Sequence, residues 1–158
     1  MPRNHTQRVL RTKQHDIFKA SGPSLPLGKQ YRSTNILSHS SVPVFSLPGI
    51  EHQTIAHRSQ GTEKVEVWKQ SLAPGAATPP HFHECEEVIY VLAGRGEITA
   101  EGQAMPFQAD CTLILPAGKV HQITNTGAET IRLAALLSES PARVFLPSGE
   151  RLMLPWDD

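Results

Sequence analysis

Apolar and polar residues alternate along "EKVEVWKQSL", from Glu63 to Leu72, the period of a strand with one buried face. The next apolar run, "EEVIYVLAG" from Glu86 to Gly94, is denser and reads as a buried strand ended by glycine. "GEITAEGQAMPF" reads as a hairpin turning at Glu101-Gly102. "CTLILPAG" is a strand stopped by Pro116 and Gly118, and "HQITNTG" is another, closed by Gly127. "TIRLAALL" fits a strand or a short helix. "RVFLPSGERLML" fits two strands about a Pro-Ser-Gly turn. Breakers recur every roughly 8–12 residues, with no long amphipathic helix and no internal repeat, which predicts an all-β sandwich or barrel.

This pattern begins only near Val42. Before it, the apolar residues Val9, Leu10, Ile17, Phe18, Leu25 and Leu27 keep neither a strand nor a helix period, and "GPSLPLG" is linker chemistry. Charge divides the chain at the same place. Residues 1–41 carry seven Lys and Arg against one acid, Asp16, whereas residues 42–158 carry eight against fourteen. The zero net charge of the whole chain therefore hides a basic extension, 1–41, ahead of an acidic β domain, 42–158. An ordering cost that its apolar content does not offset makes the extension a disordered or loosely docked tail. An organelle transit segment and a basic arm for nucleic acid are the other readings. Without a helical apolar period the segment is not read as a DNA-binding domain, and nucleic acid is not an expected partner.

No apolar stretch reaches the length of a signal peptide or membrane span, so no membrane association is expected. Two cysteines, Cys85 and Cys111, are too few for a disulfide scaffold. They point to a reducing compartment, the cytoplasm or, if the extension is a targeting signal, an organelle. Both are placed in core strands as small packed residues.

The candidate chemistry sits in "PGAATPPHFHECEEVIYVLAG", from Pro74 to Gly94. Residues two apart on an extended chain face the same way, so His81 and His83 share a face, and Glu87 has the same parity. A buried unpaired carboxylate is costly. A divalent cation between two neutral imidazoles and that carboxylate removes the cost. The next histidine, His121, heads a strand directly after a Pro/Gly turn, a rigid place for a further ligand. Glu84 and Glu86 are read as solvated rim charges. Asn125 is read as holding its turn by hydrogen bonds. His5, His15, His39, His52 and His57 are read as surface residues. Trp68, Tyr90, Phe107 and Trp156 are read as core aromatics.

With these residues the chain resembles a small single-domain cupin. Gly75, His81, His83, Glu87 and Gly94 meet every spacing of that family's first motif, G-x5-H-x-H-x3-E-x6-G. Pro116, Gly118, His121 and Asn125 match its second, G-x5-P-x-G-x2-H-x3-N, with Asp110 in place of the first glycine. The resemblance implies a jelly-roll barrel in which His81, His83, Glu87 and His121 bind one divalent ion: Fe, Mn, Ni, Zn or Cu. It also implies a homodimer, for which Leu152, Leu154 and Trp156, or "VPVFSLPGI" from Val42 to Ile50, offer apolar surface.

The fold does not fix the reaction. The first hypothesis is a metal-dependent enzyme of dioxygenase, decarboxylase or lyase type acting on a small oxygenated organic molecule. Its catalytic residues beyond the metal are not identified. The second is a non-catalytic cupin that binds or senses a small ligand. A sugar isomerase or epimerase comes third, because Arg and Lys in the β domain are scattered over turns rather than gathered for a phosphate.

Overall fold

The structure is a computed structural model and describes residues 33–157. The tail, transit and nucleic-acid readings fall mainly on residues 1–32 and lie outside the described residues. Residues 33–41 lie on the β domain. Asn35 Nδ2 donates to the Gln60 carbonyl at 3.1 Å, and Gln53 Nε2 donates to the His39 carbonyl at 3.0 Å.

The described residues form eleven strands in order: β1 Phe45–Leu47, β2 Ile50–Ala56, β3 Glu66–Leu72, β4 Glu87–Ala93, β5 Arg95–Ala100, β6 Gln103–Gln108, β7 Cys111–Leu115, β8 His121–Thr124, β9 Ile131–Leu137, β10 Val144–Phe145 and β11 Arg151–Leu152. Two single 3-10 turns, His39–Ser41 and Arg58–Gln60, are the helical elements among the described residues. None of the described helices is long and apolar enough to cross a membrane. Every ladder is antiparallel. One sheet has the order β1-β2-β3-β9-β4-β7, a second β6-β5-β8, and β10 pairs with β11. This is the expected jelly-roll barrel.

The segment "TIRLAALL" resolves as a strand. β9 lies between β3 and β4 with a ladder on each side. Ile131, Leu133, Ala135 and Leu137 point into the core while Arg132 and Leu136 are exposed, a period of two that a helix could not bury. Strands β3 to β8 and the β10-β11 pair fall where alternation and the breakers place them, whereas β1 and β2 are not predicted by either. The Glu101-Gly102 turn has positive φ at both residues, 52° and 77°, the left-handed pair that two-residue hairpins require. Asp110 stands at φ 66°, so the turn of the second motif keeps its left-handed backbone with Asp in place of glycine. At Gly94, φ is 85° and an added Cβ would stand 2.8 Å from the Ile131 Cα. Backbone angle and packing both demand glycine there.

Three sequence expectations are corrected. His52 is a core residue with no exposed surface, since β2 turns Ile50, His52 and Thr54 to the inside. Cys85 sits in a bend between His83 and β4 rather than in a strand, and Cys111 opens β7; both thiols are free. Tyr90 is exposed, whereas Trp68 and Phe107 are buried. The C-terminal apolar residues also turn inward: Leu152 and Leu154 pack on the core, and Trp156 stacks on His52. They do not form a surface patch.

Candidate metal centre

The two sheets meet where the chain approaches β4. Pro79 and Pro80 fix an extended approach, and a bridge links His81 to His121 at the head of β8. His81 N donates to His121 O at 3.0 Å, and His121 N donates to His81 O at 2.8 Å. His83 is anchored by Gly118 N, which donates to its carbonyl at 2.7 Å. Glu87 opens β4. Four side chains from two sheets thus converge on one buried point.

Each imidazole is oriented by the same device. Nδ1–H of His81 donates to Pro79 O at 2.8 Å, that of His83 to Arg143 O at 2.8 Å, and that of His121 to Lys119 O at 3.0 Å. A carbonyl only accepts, so each neutral ring carries its proton on Nδ1 and presents a bare Nε2. The ligand atoms of His81, His83 and His121 all lie within 4.8 Å of one another, so these residues form a group able to hold a metal ion. Glu87 Oε2 adjoins them, 3.2 Å from His121 Nε2 and 3.5 Å from His83 Nε2.

Three of these atoms, His83 Nε2, His121 Nε2 and Glu87 Oε2, are buried without a hydrogen-bond partner. The close approaches lack hydrogen-bond geometry. Orphaned lone pairs facing one another are costly, and a shared cation satisfies them together. The donor set, imidazole nitrogen with carboxylate oxygen, fits a first-row divalent ion.

The electrostatics agree. Burial lowers His81 to about 4, with the neighbouring His121 and His83 adding to the effect, and burial also lowers His83. Both rings are therefore neutral near pH 7. Burial would raise the Glu87 carboxyl, but contact with His121 and the charges of the surrounding imidazoles more than offset it, so it stays below its usual range. Burial lowers His121, yet the Glu87 carboxylate outweighs that and raises it.

Beside the histidines lies a cavity of about 50 Å³ that opens to solvent. Its walls are largely apolar: Trp68, Ile89, Ile123, Val144, Leu154 and Trp156 contribute. His81, Glu87 and His121 line it together with two further polar residues, Gln70 and Thr78. Trp68 packs edge-on to His83 at 5.5 Å and donates Nε1–H to the buried Glu66 Oε1 at 2.6 Å. Asn125 has the expected role at the turn. Its Nδ2 donates to Leu72 O at 2.9 Å and Glu129 O at 2.8 Å, and its Oδ1 accepts from Gly127 N at 2.9 Å. Glu84 and Glu86 are exposed rim charges. Cys85 is not part of the histidine group. Sequence reasoning missed Gln70 and His52; the signal for Gln70 was its parity with Trp68 and Leu72 on one strand.

A jelly-roll barrel carrying this histidine group at the strand mouths defines the cupin class. The particular family follows from comparison. The auxin binding protein family model matches residues 33–155, most of the chain. Auxin-binding protein 1 of Arabidopsis thaliana is 34% identical over 133 residues, covering 72% of this chain and 67% of that one. The chain belongs to the auxin-binding-protein family. It spans 67%, 59% and 72% of the length of three plant relatives. The polyketide synthase CurC of Streptomyces cyaneus is 35% identical over 68 residues, 42% of this chain and 44% of that protein. Among solved structures, the polyketide cyclase RemF of Streptomyces resistomycificus superposes with a TM-score of 0.61 at 19% identity, over 79% of this chain and 89% of that one. At that identity the likeness concerns the fold.

Proposed function

We propose that this protein binds a small organic acid with an apolar, ring-sized body. In this reading His81, His83, Glu87 and His121 would hold a divalent ion at the end of the cavity where the ligand's oxygens would lie. The observation that carries it is the pairing of orphaned metal-facing atoms with an adjoining apolar cavity. The ion supplies Lewis-acid attraction for a carboxylate. The chain's own residues do the rest: Trp68, Ile89 and Trp156 desolvate the ligand body, and the Nδ1 hydrogen bonds keep the imidazoles aimed before the ligand arrives. The family relatives are named for auxin, which supports a ligand of this shape.

Binding is favoured over turnover by what lines the cavity. Apart from the candidate ligands, its polar residues are an amide, Gln70, and a hydroxyl, Thr78. Neither exchanges protons readily near neutrality. The enzyme reading keeps one specific support, the likeness to CurC.

Calorimetry with zinc-loaded full chain and indole-3-acetate tests the proposal. Saturable binding that disappears after chelation of the metal is expected. Affinity independent of metal contradicts it, and steady conversion of the ligand to a product restores the enzyme reading. Pairing of two copies is a further part of the proposal. The apolar surface available for it is the outer face bearing Tyr90, Leu92, Ile114 and Leu136, and sedimentation at micromolar concentration decides it.

A further inference from the structure

His52 was expected on the surface and is instead wholly buried beside the cavity. Its ring lies parallel to Trp156, centroids 3.5 Å apart and planes 6° from coplanar, and stands edge-on to Trp68 at 5.1 Å. Both ring nitrogens are engaged. Gln70 Nε2 lies 3.0 Å from Nδ1, and Thr54 Oγ1 lies 2.9 Å from Nε2. An amide nitrogen only donates, so Nδ1 accepts and the neutral ring carries its proton on Nε2, donating it to Thr54. This is the opposite tautomer from that of the three metal-facing histidines. Burial lowers His52 to about 3, so the ring stays neutral.

The consequence falls on Gln70. It lies on β3 between Trp68 and Leu72, inward by parity, and lines the cavity. With its amide nitrogen committed to His52, its carbonyl oxygen makes no hydrogen bond among the described residues. Thr78 is already engaged, its Oγ1 accepting from Ile123 N at 3.0 Å.

We infer that His52 and Gln70 form a second polar pole of the cavity: His52 is a positioning residue that turns the Gln70 carbonyl oxygen toward the ligand, and this oxygen selects ligands bearing an N–H or O–H donor on their apolar body. The inference rests on the ligand-binding reading above. A ligand without such a donor strips water from the oxygen and leaves it unpaired, which costs affinity by about tenfold.

Two measurements on zinc-loaded full chain test it. The first needs no ligand: nitrogen NMR of labelled histidine is expected to show the His52 proton on Nε2, with the Nδ1 resonance shifting when Gln70→Leu removes its donor. A proton on Nδ1 overturns the inference. The second compares indole-3-acetate with benzofuran-3-acetate, in which oxygen replaces the N–H at nearly the same shape. The wild type is expected to prefer the indole about tenfold. Gln70→Leu should bring the two within about twofold of each other, without weakening the benzofuran. His52→Phe, which keeps the stack on Trp156, should lose the same preference. Equal affinities in the wild type, or a preference that survives Gln70→Leu, overturn the inference. If neither probe binds while the Nε2 tautomer is present, the ligand-binding reading is what fails.

Discussion

The four buried histidines among the described residues divide into two kinds. His81, His83 and His121 give their Nδ1 protons to backbone carbonyls and aim bare nitrogens at one another and at Glu87. His52 gives and takes hydrogen bonds with side chains on both nitrogens and is closed between two tryptophans. Burial in the apolar barrel pushes all four toward the neutral form, and at His121 alone the Glu87 carboxylate outweighs it. What separates them is whether the hydrogen-bond account closes: complete for His52, open at the buried Nε2 of His83 and of His121. An open account in a protein interior marks a place reserved for something else. The largest expected effect breaks this contrast directly. Outer-shell partners of a metal typically account for 10–100-fold in affinity, roughly, so removing a ligand outright by His83→Ala or His121→Ala is expected to cost more. Elemental analysis after dialysis should find these variants nearly metal-free, while His52→Phe retains the wild-type content. One ion per chain in His83→Ala, or metal loss in His52→Phe, would erase the distinction.

Acid gives a smaller effect in which both kinds of histidine share. In the metal-free protein His52 and His81 are lowered from 6.5 to about 3 and about 4, and His83 is lowered too. Between pH 6.5 and those values the unfolded chain binds more protons than the folded one, so stability falls as pH falls. Each such group contributes a slope of up to about 1.4 kcal/mol per pH unit. His121 acts oppositely. Its folded value is raised, so its contribution is fully present below pH 6.5 and is lost as pH rises above 6.5 through the higher folded value. Below pH 6.5 His121 adds no slope of its own, so the three lowered histidines leave a net loss toward acid. Glu87, lowered from 4.5, steepens the loss below that pH. Urea titrations of metal-free protein from pH 7.5 to 4.5 should show the decline, and His52→Phe should reduce its slope by one group's share. A flat profile would mean that these imidazoles titrate normally.

The contrast also separates what the sequence discloses from what it conceals. The metal-facing set was legible because ligands must share a face at fixed intervals and sit beside rigid turns. Few packing arrangements place His81, His83, Glu87 and His121 in that pattern by chance. Strands β3 to β8 were legible from alternation and breakers. Strand β2 was not, because its inward positions include His52 and Thr54, so "IEHQTIA" shows no apolar period although His52 lies in the core. For the same reason His52 read as surface: its partners Gln70 and Trp156 come from distant parts of the chain. Trp156 read both as a core aromatic and as part of an apolar surface patch, because the last residues carry no period to betray that they fold back over the cavity. Local pattern reports which face is apolar. It does not report a polar residue whose partners arrive from elsewhere.

A side chain of neither kind sharpens the contrast from outside. Asp110 lies in the turn before β7, accepts a hydrogen bond from the Tyr90 hydroxyl at 2.9 Å and has φ 66°. Its position needs a left-handed backbone rather than an ion or a buried partner. Asp110→Gly removes the steric cost of that backbone but adds chain entropy to the unfolded state and loses an exposed hydrogen bond. These terms are each about 1 kcal/mol or less and oppose one another. The melting temperature should therefore move by only a few degrees in either direction. Asp110→Val puts a β-branched residue at positive φ and should cost about 1–3 kcal/mol, with metal content unchanged in both variants. If Val were tolerated as well as Gly, the backbone angle would not be what the second motif's glycine position enforces. If either variant lost metal, the turn would be coupled to the histidine centre, and Asp110 would cease to be an outside control.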